Sequence, residues 1–169
     1  MACESITAYT KECSSVAGGV QKLWLINYAD LTSYATSETT GEVTAMVLGE
    51  GNSFKSIGII KNTVGITETF TKTVETGTSE ITTELTLVVS QITTSSRKFV
   101  QSLANGGEII AIIQLRSGNK IVAGLDGGLE VTSVVGGSGV AGGDLNGYTI
   151  TFSGIENEFL RLVASSVTV

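Results

Sequence analysis

Between Val64 and Ser90 the sequence alternates with a period of two through two consecutive runs, and one side of both runs is threonine and glutamate. The outward run has Thr67, Thr69, Thr71, Thr73 and Glu75 at odd positions, against Ile66, Phe70 and Val74 at even ones. The return run sets Glu80, Thr82, Glu84 and Thr86 against Ile81, Leu85, Leu87 and Val89. Strands that are wet on one face and covered on the other show this pattern, and the whole stretch reads as one long β-hairpin. With Thr76-Gly77-Thr78-Ser79 as the turn, Glu75 faces Glu80, Thr73 faces Thr82, Thr71 faces Glu84 and Thr69 faces Thr86. In that register Val74 meets Ile81 and Phe70 meets Leu85. A slip of one residue would set threonines against the apolar row, so the pairing reads as well specified. Glu68 and Lys72 interrupt that row. Each arm has roughly a dozen residues, or about 40 Å, against about 5 to 6 residues in an ordinary strand.

A two-stranded ribbon of this length is marginally stable alone and offers unpaired edges to any neighbour. It therefore calls for a partner. Either the hairpin lies over its own domain as part of an ordinary sheet, or copies from several subunits join edge to edge. In the second case they close a barrel whose inner wall is the threonine and glutamate face.

The 169 residues fit a single domain, 1–169, long enough to bury a core without staples, and the polar residues 1–19 read as an N-terminal arm. Valine, isoleucine and threonine favour strands. Proline is absent where average usage would give about eight. The turns therefore fall to the 21 glycines and to asparagine and serine. A net charge of −6 with few lysines and arginines excludes a surface built to grip nucleic acid, which needs clustered cations. No apolar run approaches a membrane span, and Met1-Ala2-Cys3-Glu4-Ser5 resembles no signal peptide, so the expectation is a cytosolic chain without membrane insertion. Cys3 and Cys13, with no histidine anywhere, cannot make the usual four-ligand zinc site. They read as idle or buried thiols, with a disulfide open only to an oxidising compartment.

Along the chain, Val20 to Tyr28 reads as a first strand, apolar on both faces and hence central, followed by an exposed polar loop from Thr32 to Glu42. Strands follow near Val43 to Leu48 and Phe54 to Lys61, joined by a turn at Gly49 to Asn52. After the long hairpin, Thr93 to Gly106 switches to helical spacing. Phe99, Val100 and Leu103 share a face there, a hydroxyl at 94 to 96 suits the start and Asn105-Gly106 the end. Glu108 to Leu115 and Lys120 to Leu125 form a short hairpin over Ser117 to Asn119. Leu129 to Val135, Tyr148 to Ser153 and Phe159 to Ala164 supply the remaining strands. The expected fold is mainly β: an antiparallel sandwich or barrel with one long hairpin and a single flanking helix.

Motifs for chemistry are weak. Gly137-Ser138-Gly139-Val140-Ala141-Gly142 spells GxGxxG but precedes a strand-like Tyr148 to Phe152 where a dinucleotide site needs a helix, so it reads as a flexible loop. Asp126, Asp144 and Asn146 lie beside glycines without the offsets of a calcium loop, and turn chemistry explains them as well. Glu156 and Glu158 are a carboxylate pair whose place beside Asn157 reads as a solvated turn. Without a histidine or a nucleophile motif, no catalytic, cofactor or metal residue is assigned, and the chain reads as a non-enzyme.

The N-terminal arm, the hairpin at Val64 to Ser90, the helix near Ser95 to Asn105 and the strands that follow give a pattern that resembles the tail tube proteins of tailed bacteriophages. The resemblance implies a structural virion protein, assembled in the host bacterial cytoplasm into six-membered rings. These stack into a tail tube and contact other tail proteins. It implies a lumen through which DNA passes without being held, lined by Thr67, Thr69, Thr71, Thr73, Glu75, Glu80, Thr82, Glu84 and Thr86. Such a wall suits a conduit, because hydroxyls stay hydrated and no cation is present whose counterion release would make DNA stick. Two other readings compete. One is another virion part, a head-decoration or head-to-tail joining protein. The other is a small ligand- or carbohydrate-binding sandwich that stacks sugars on Trp24, Tyr28, Tyr34 or Tyr148.

Overall fold

The computed structural model describes residues 6–11 and 16–169. Cys3 and Cys13 lie outside the described residues. The described part of the arm, 6–11 and 16–18, carries no helix or strand and is exposed.

The fold is mainly β: two sheets of seven and four strands, mostly antiparallel, packed together with one α-helix. The large sheet contains β1 (Val20–Asn27), β2 (Leu31–Thr36), β3 (Val43–Leu48), β4 (Lys55–Ile57), β7 (Ile109–Leu115), β8 (Lys120–Ala123) and β11 (Arg161–Val163). Their order is β2-β3-β11-β8-β7-β1-β4. The small sheet contains β5 (Gly65–Thr73), β6 (Thr78–Ser90), β9 (Glu130–Gly137) and β10 (Gly147–Glu156), in the order β5-β6-β10-β9.

The core between the sheets is made by residues alternating inward from both. Leu23 and Leu25 of β1 and Ala111 and Ile113 of β7 meet Leu85 and Leu87 of β6 and Ile150 and Phe152 of β10. The other face of the large sheet carries a second core, in which Ile26, Ile110, Ile112 and Val122 are joined by Val43, Met46 and Leu48 from β3. Strands at one end of the sheet reach residues at the other only if the sheet curls, as strand twist promotes. This explains why β1 and β7 are apolar on both faces. As expected of such a strand, β1 is internal, paired with β7 on one side and β4 on the other.

Helix α1 (Thr94–Ala104) carries the chain from the small sheet to the large one, with Val100 buried and Phe99 and Leu103 packed on the first core. Its cap is Thr93, one residue before the positions favoured by sequence. The Thr93 hydroxyl accepts from the Ser96 amide at 3.1 Å while the Ser96 hydroxyl accepts from the Thr93 amide at 2.8 Å. This reciprocal pair satisfies two amides that the first turn leaves free.

Three expectations are corrected. Part of the supposed loop at Thr32 to Glu42 is β2, which pairs with β3 through two register breaks. The strand expected at Phe54 to Lys61 shrinks to Lys55–Ile57. In the long hairpin, Thr73 pairs with Thr78, Thr71 with Glu80, Thr69 with Thr82 and Thr67 with Glu84, so the loop is Val74 to Gly77 rather than Thr76 to Ser79. Gly77 explains the choice. It has a φ of 68° and its amide bonds Thr73 O at 2.9 Å, closing a turn whose last residue must be left-handed. Because the register differs by an even number of residues, every side chain keeps its face.

Candidate functional site

The hairpin does not stand alone, because β6 pairs along its second edge with β10, from Gly147 opposite Ser90 to Glu156 opposite Ile81. The polar row therefore belongs to a four-stranded wall. One rung runs Thr67, Glu84, Ser153 and Glu130, and the next runs Gly65, Thr86, Thr151 and Ser133. Nearer the tip, Thr69 and Thr82 are joined by Ile155, and then Thr71 faces Glu80.

Thr67, Thr69, Thr71, Thr73, Glu80 and Glu84 are exposed, while Thr82 and Thr86 are half-buried. Glu75 is the exception: it sits in the loop, exposed, and is not paired across the ladder. Sequence reasoning missed Glu130, Ser133, Thr149, Thr151 and Ser153, which extend the wall across β10 and β9. Thr149, Thr151 and Ser153 alternate with Ile150 and Phe152, and that period-two signal could have found them.

The wall is free of cations. Its four strands hold a single lysine or arginine, Lys72, which pairs with Ser79 on the opposite face. Glu80, Glu84 and Glu130 give the wall a negative sign, and its remaining side chains are chiefly hydroxyls, with Val88, Val135 and Ile155 interspersed. Such a surface can hold water and repel phosphate. Among the described residues, both of its borders, β5 and β9, are edge strands with no strand paired on their outer side.

The other motifs resolve into structural roles. In the glycine-rich loop between β9 and β10, the Asp144 carboxylate accepts from the Val140 and Ala141 amides at 2.9 and 2.8 Å. The Ala141 and Val140 amides hold this carboxyl below its ordinary range. Those amides are thus already occupied by the chain's own anion, and the segment that follows is a strand.

Glu156 is not in a solvated turn. It is 7% exposed, and its carboxylate accepts from the amides of Gly124 and, at 3.2 Å, of Asp126. Burial pushes its carboxyl up, against the pull of those two amides. Asp126 in turn accepts from the Asn157 amide at 3.2 Å and the Tyr34 hydroxyl at 3.3 Å, and faces Arg161 at 3.7 Å. This bracket ties the end of β10 to β8, β11 and β2. Glu158, by contrast, is exposed and bonded to Arg161 at 3.0 Å.

The four aromatics considered for ligand stacking do not converge. Trp24 and Tyr28 pack on the second core, Tyr148 packs on the first, and Tyr34 lies by Asp126 and Arg161. A groove of about 350 Å³ does lie between β1, β4 and α1, lined by Leu25, Ile57, Phe99 and Leu103 with Asp30 and Asn52, and none of those aromatics reaches it. Among the described residues no cluster of three or more metal-binding side chains occurs, and no helix is long and apolar enough to cross a membrane.

Comparison with protein families, curated proteins and solved structures finds no match.

Proposed function

We propose that this protein is a structural subunit of a phage-type tail tube, assembling into rings that stack around a hydrated, negatively signed channel for DNA. The observation that carries the reading is the four-stranded, cation-free wall with two open edges. Its strands alternate in direction, so β5 and β9, at its borders, run oppositely. When subunits related by rotation meet edge to edge, β9 of one lies antiparallel to β5 of the next. The sheet then continues around the axis with no change in pattern. Edge pairing also removes the hazard that two open edges present to a lone chain. The resemblance of the sequence to tail tube proteins supports the same reading, and the ring number of six comes from that resemblance alone.

Electron microscopy of the concentrated protein tests it: rings or tubes are expected, and a monodisperse monomer across salt concentrations removes the proposal. A second test concerns the wall. Glu80→Lys with Glu84→Lys should keep the fold and make assembled material bind DNA, with affinity falling steeply as salt rises, because added cations release counterions from the duplex. Lysine variants that assemble and still ignore DNA at low salt would show that the row does not face the channel.

A further inference from the structure

We infer that Glu156 and Asp126 form a proton-operated clasp between two of the crossings that join the sheets. Uptake of a proton by Glu156 frees the amide of Asp126 in the first crossing while both sheets stay packed. The inference is independent of the tube reading.

The clasp is reciprocal. Residues 124–129 carry the chain from β8 in the large sheet to β9 in the small one, and residues 157–160 carry it back from β10 to β11. Glu156, the last residue of β10, reaches into the first crossing, where one carboxylate oxygen accepts from the Gly124 amide and the other from the Asp126 amide. Asp126 reaches the opposite way. One of its oxygens accepts from the Asn157 amide in the second crossing, and the other accepts from Tyr34 of β2 and faces Arg161 of β11.

The ends of the first crossing are pinned by packing. Gly124 and Gly128 have φ of 86° and 80°, and an added Cβ would lie 2.6 Å from Ile109 O at the first and 2.3 Å from Glu108 Cβ at the second. Leu125 is anchored in the second core. Between the two glycines the backbone supplies one bond of its own, from the Gly128 amide to Gly124 O at 3.2 Å. What depends on Glu156 is therefore the amide of Asp126 and the polar ties that its side chain makes beyond it.

An ionised carboxylate only accepts, so it can serve both amides. The neutral acid keeps one strong acceptor oxygen and gains an O–H that itself needs a partner. The bond from Asp126, at 3.2 Å, lies at the long end of the ordinary range and is the one given up. A cavity of about 10 Å³ beside Glu156, lined also by Leu125, Glu158 and Arg161, is close to the least that holds one water, which gives the new O–H a place to donate. Burial, opposed by the two amides, pushes the Glu156 carboxyl above its ordinary range. Of the charges that face it, Asp126 favours the proton and Arg161 opposes it. Around them, exposed Glu158 is bonded to Arg161, the Tyr34 hydroxyl to Asp126, and Glu68 of β5 to the Leu160 amide. The apolar cores do not titrate, so the change is confined to the clasp.

Two measurements on the full chain decide it. The carbon-13 shift of the Glu156 carboxyl follows its protonation between about pH 7 and pH 4. Amide hydrogen exchange, corrected for the intrinsic pH dependence of exchange, follows the clasp. As Glu156 takes up its proton, protection at the Asp126 amide should fall about tenfold or more, with Ile112 in β7 unchanged. Glu156→Gln presents one acceptor oxygen at every pH and should show the low Asp126 protection throughout. Protection at Asp126 that stays constant through the Glu156 titration overturns the inference, and so does its loss together with that of Ile112, which is global unfolding. A Glu156 that stays ionised until the chain unfolds overturns it as well. The wild-type measurements decide the matter even where Glu156→Gln fails to fold.

Discussion

The two sheets draw on the same residue types and differ in what fills every second position. In β7 of the large sheet both faces are apolar, and the first five residues, Ile109 to Ile113, are all buried. In β6 of the small sheet Ile81, Thr83, Leu85 and Leu87 are buried, while Glu80 and Glu84 between and beside them are exposed. Packing thus dictates the first five residues of β7 and only alternate residues of β6. The outer row of the small sheet is the part of the molecule least needed by its own fold, and that freedom is what allows it to carry a surface property.

The largest test of this contrast is Phe152→Ala, which empties the inner face of the small sheet at a fully buried site. It should cost about 3 to 5 kcal/mol in denaturant melts. A loss under about 1 kcal/mol would mean that the small sheet is not packed on the large one. Next comes Thr83, buried on the same face with a hydroxyl that finds no hydrogen-bond partner among the described residues. Thr83→Val keeps the shape and removes the orphan, so it should stabilise by about 1 kcal/mol. A loss of similar size would reveal a partner for that hydroxyl.

A smaller effect attaches to Glu156, at the bracket between the sheets. Burial raises its folded-state pKa, so its stabilising contribution is complete below the unfolded carboxylate range and is lost as pH rises through the folded value. Wild-type protein should therefore gain melting temperature relative to Glu156→Gln as pH is lowered from 7 toward 4. A difference that stays flat over this range would count against burial as the dominant influence. The least effect belongs to the outer row, where Thr69→Ala should change stability by under about 0.5 kcal/mol. A cost of 1 kcal/mol or more would show that the exposed row is structural after all.

Local signals made much of this legible. The strand at Val43 to Leu48, the helix face of Phe99, Val100 and Leu103, and the parity of the long hairpin all follow from spacings within a few residues. What escaped depends on distant partners. Strand β2 has no buried residue, so its pairing with β3 leaves no apolar alternation to detect. Glu156 looks wet beside Asn157 and Glu158, but its hydrogen-bond donors lie about thirty residues earlier, at Gly124 and Asp126. The hairpin register turned on Gly77, whose left-handed backbone belongs at the close of the loop, not its second position.

The cation-free wall also has a consequence for how such a gene can drift. In the ring assembly proposed above each codon would be read out once per subunit, so a lone lysine introduced on this face would be copied into a full circle of positive charge. Exchanges among serine, threonine and asparagine would be diluted to nothing by the same repetition. Selection on the wall would then act on the sign of charge far more sharply than on the identity of any hydroxyl.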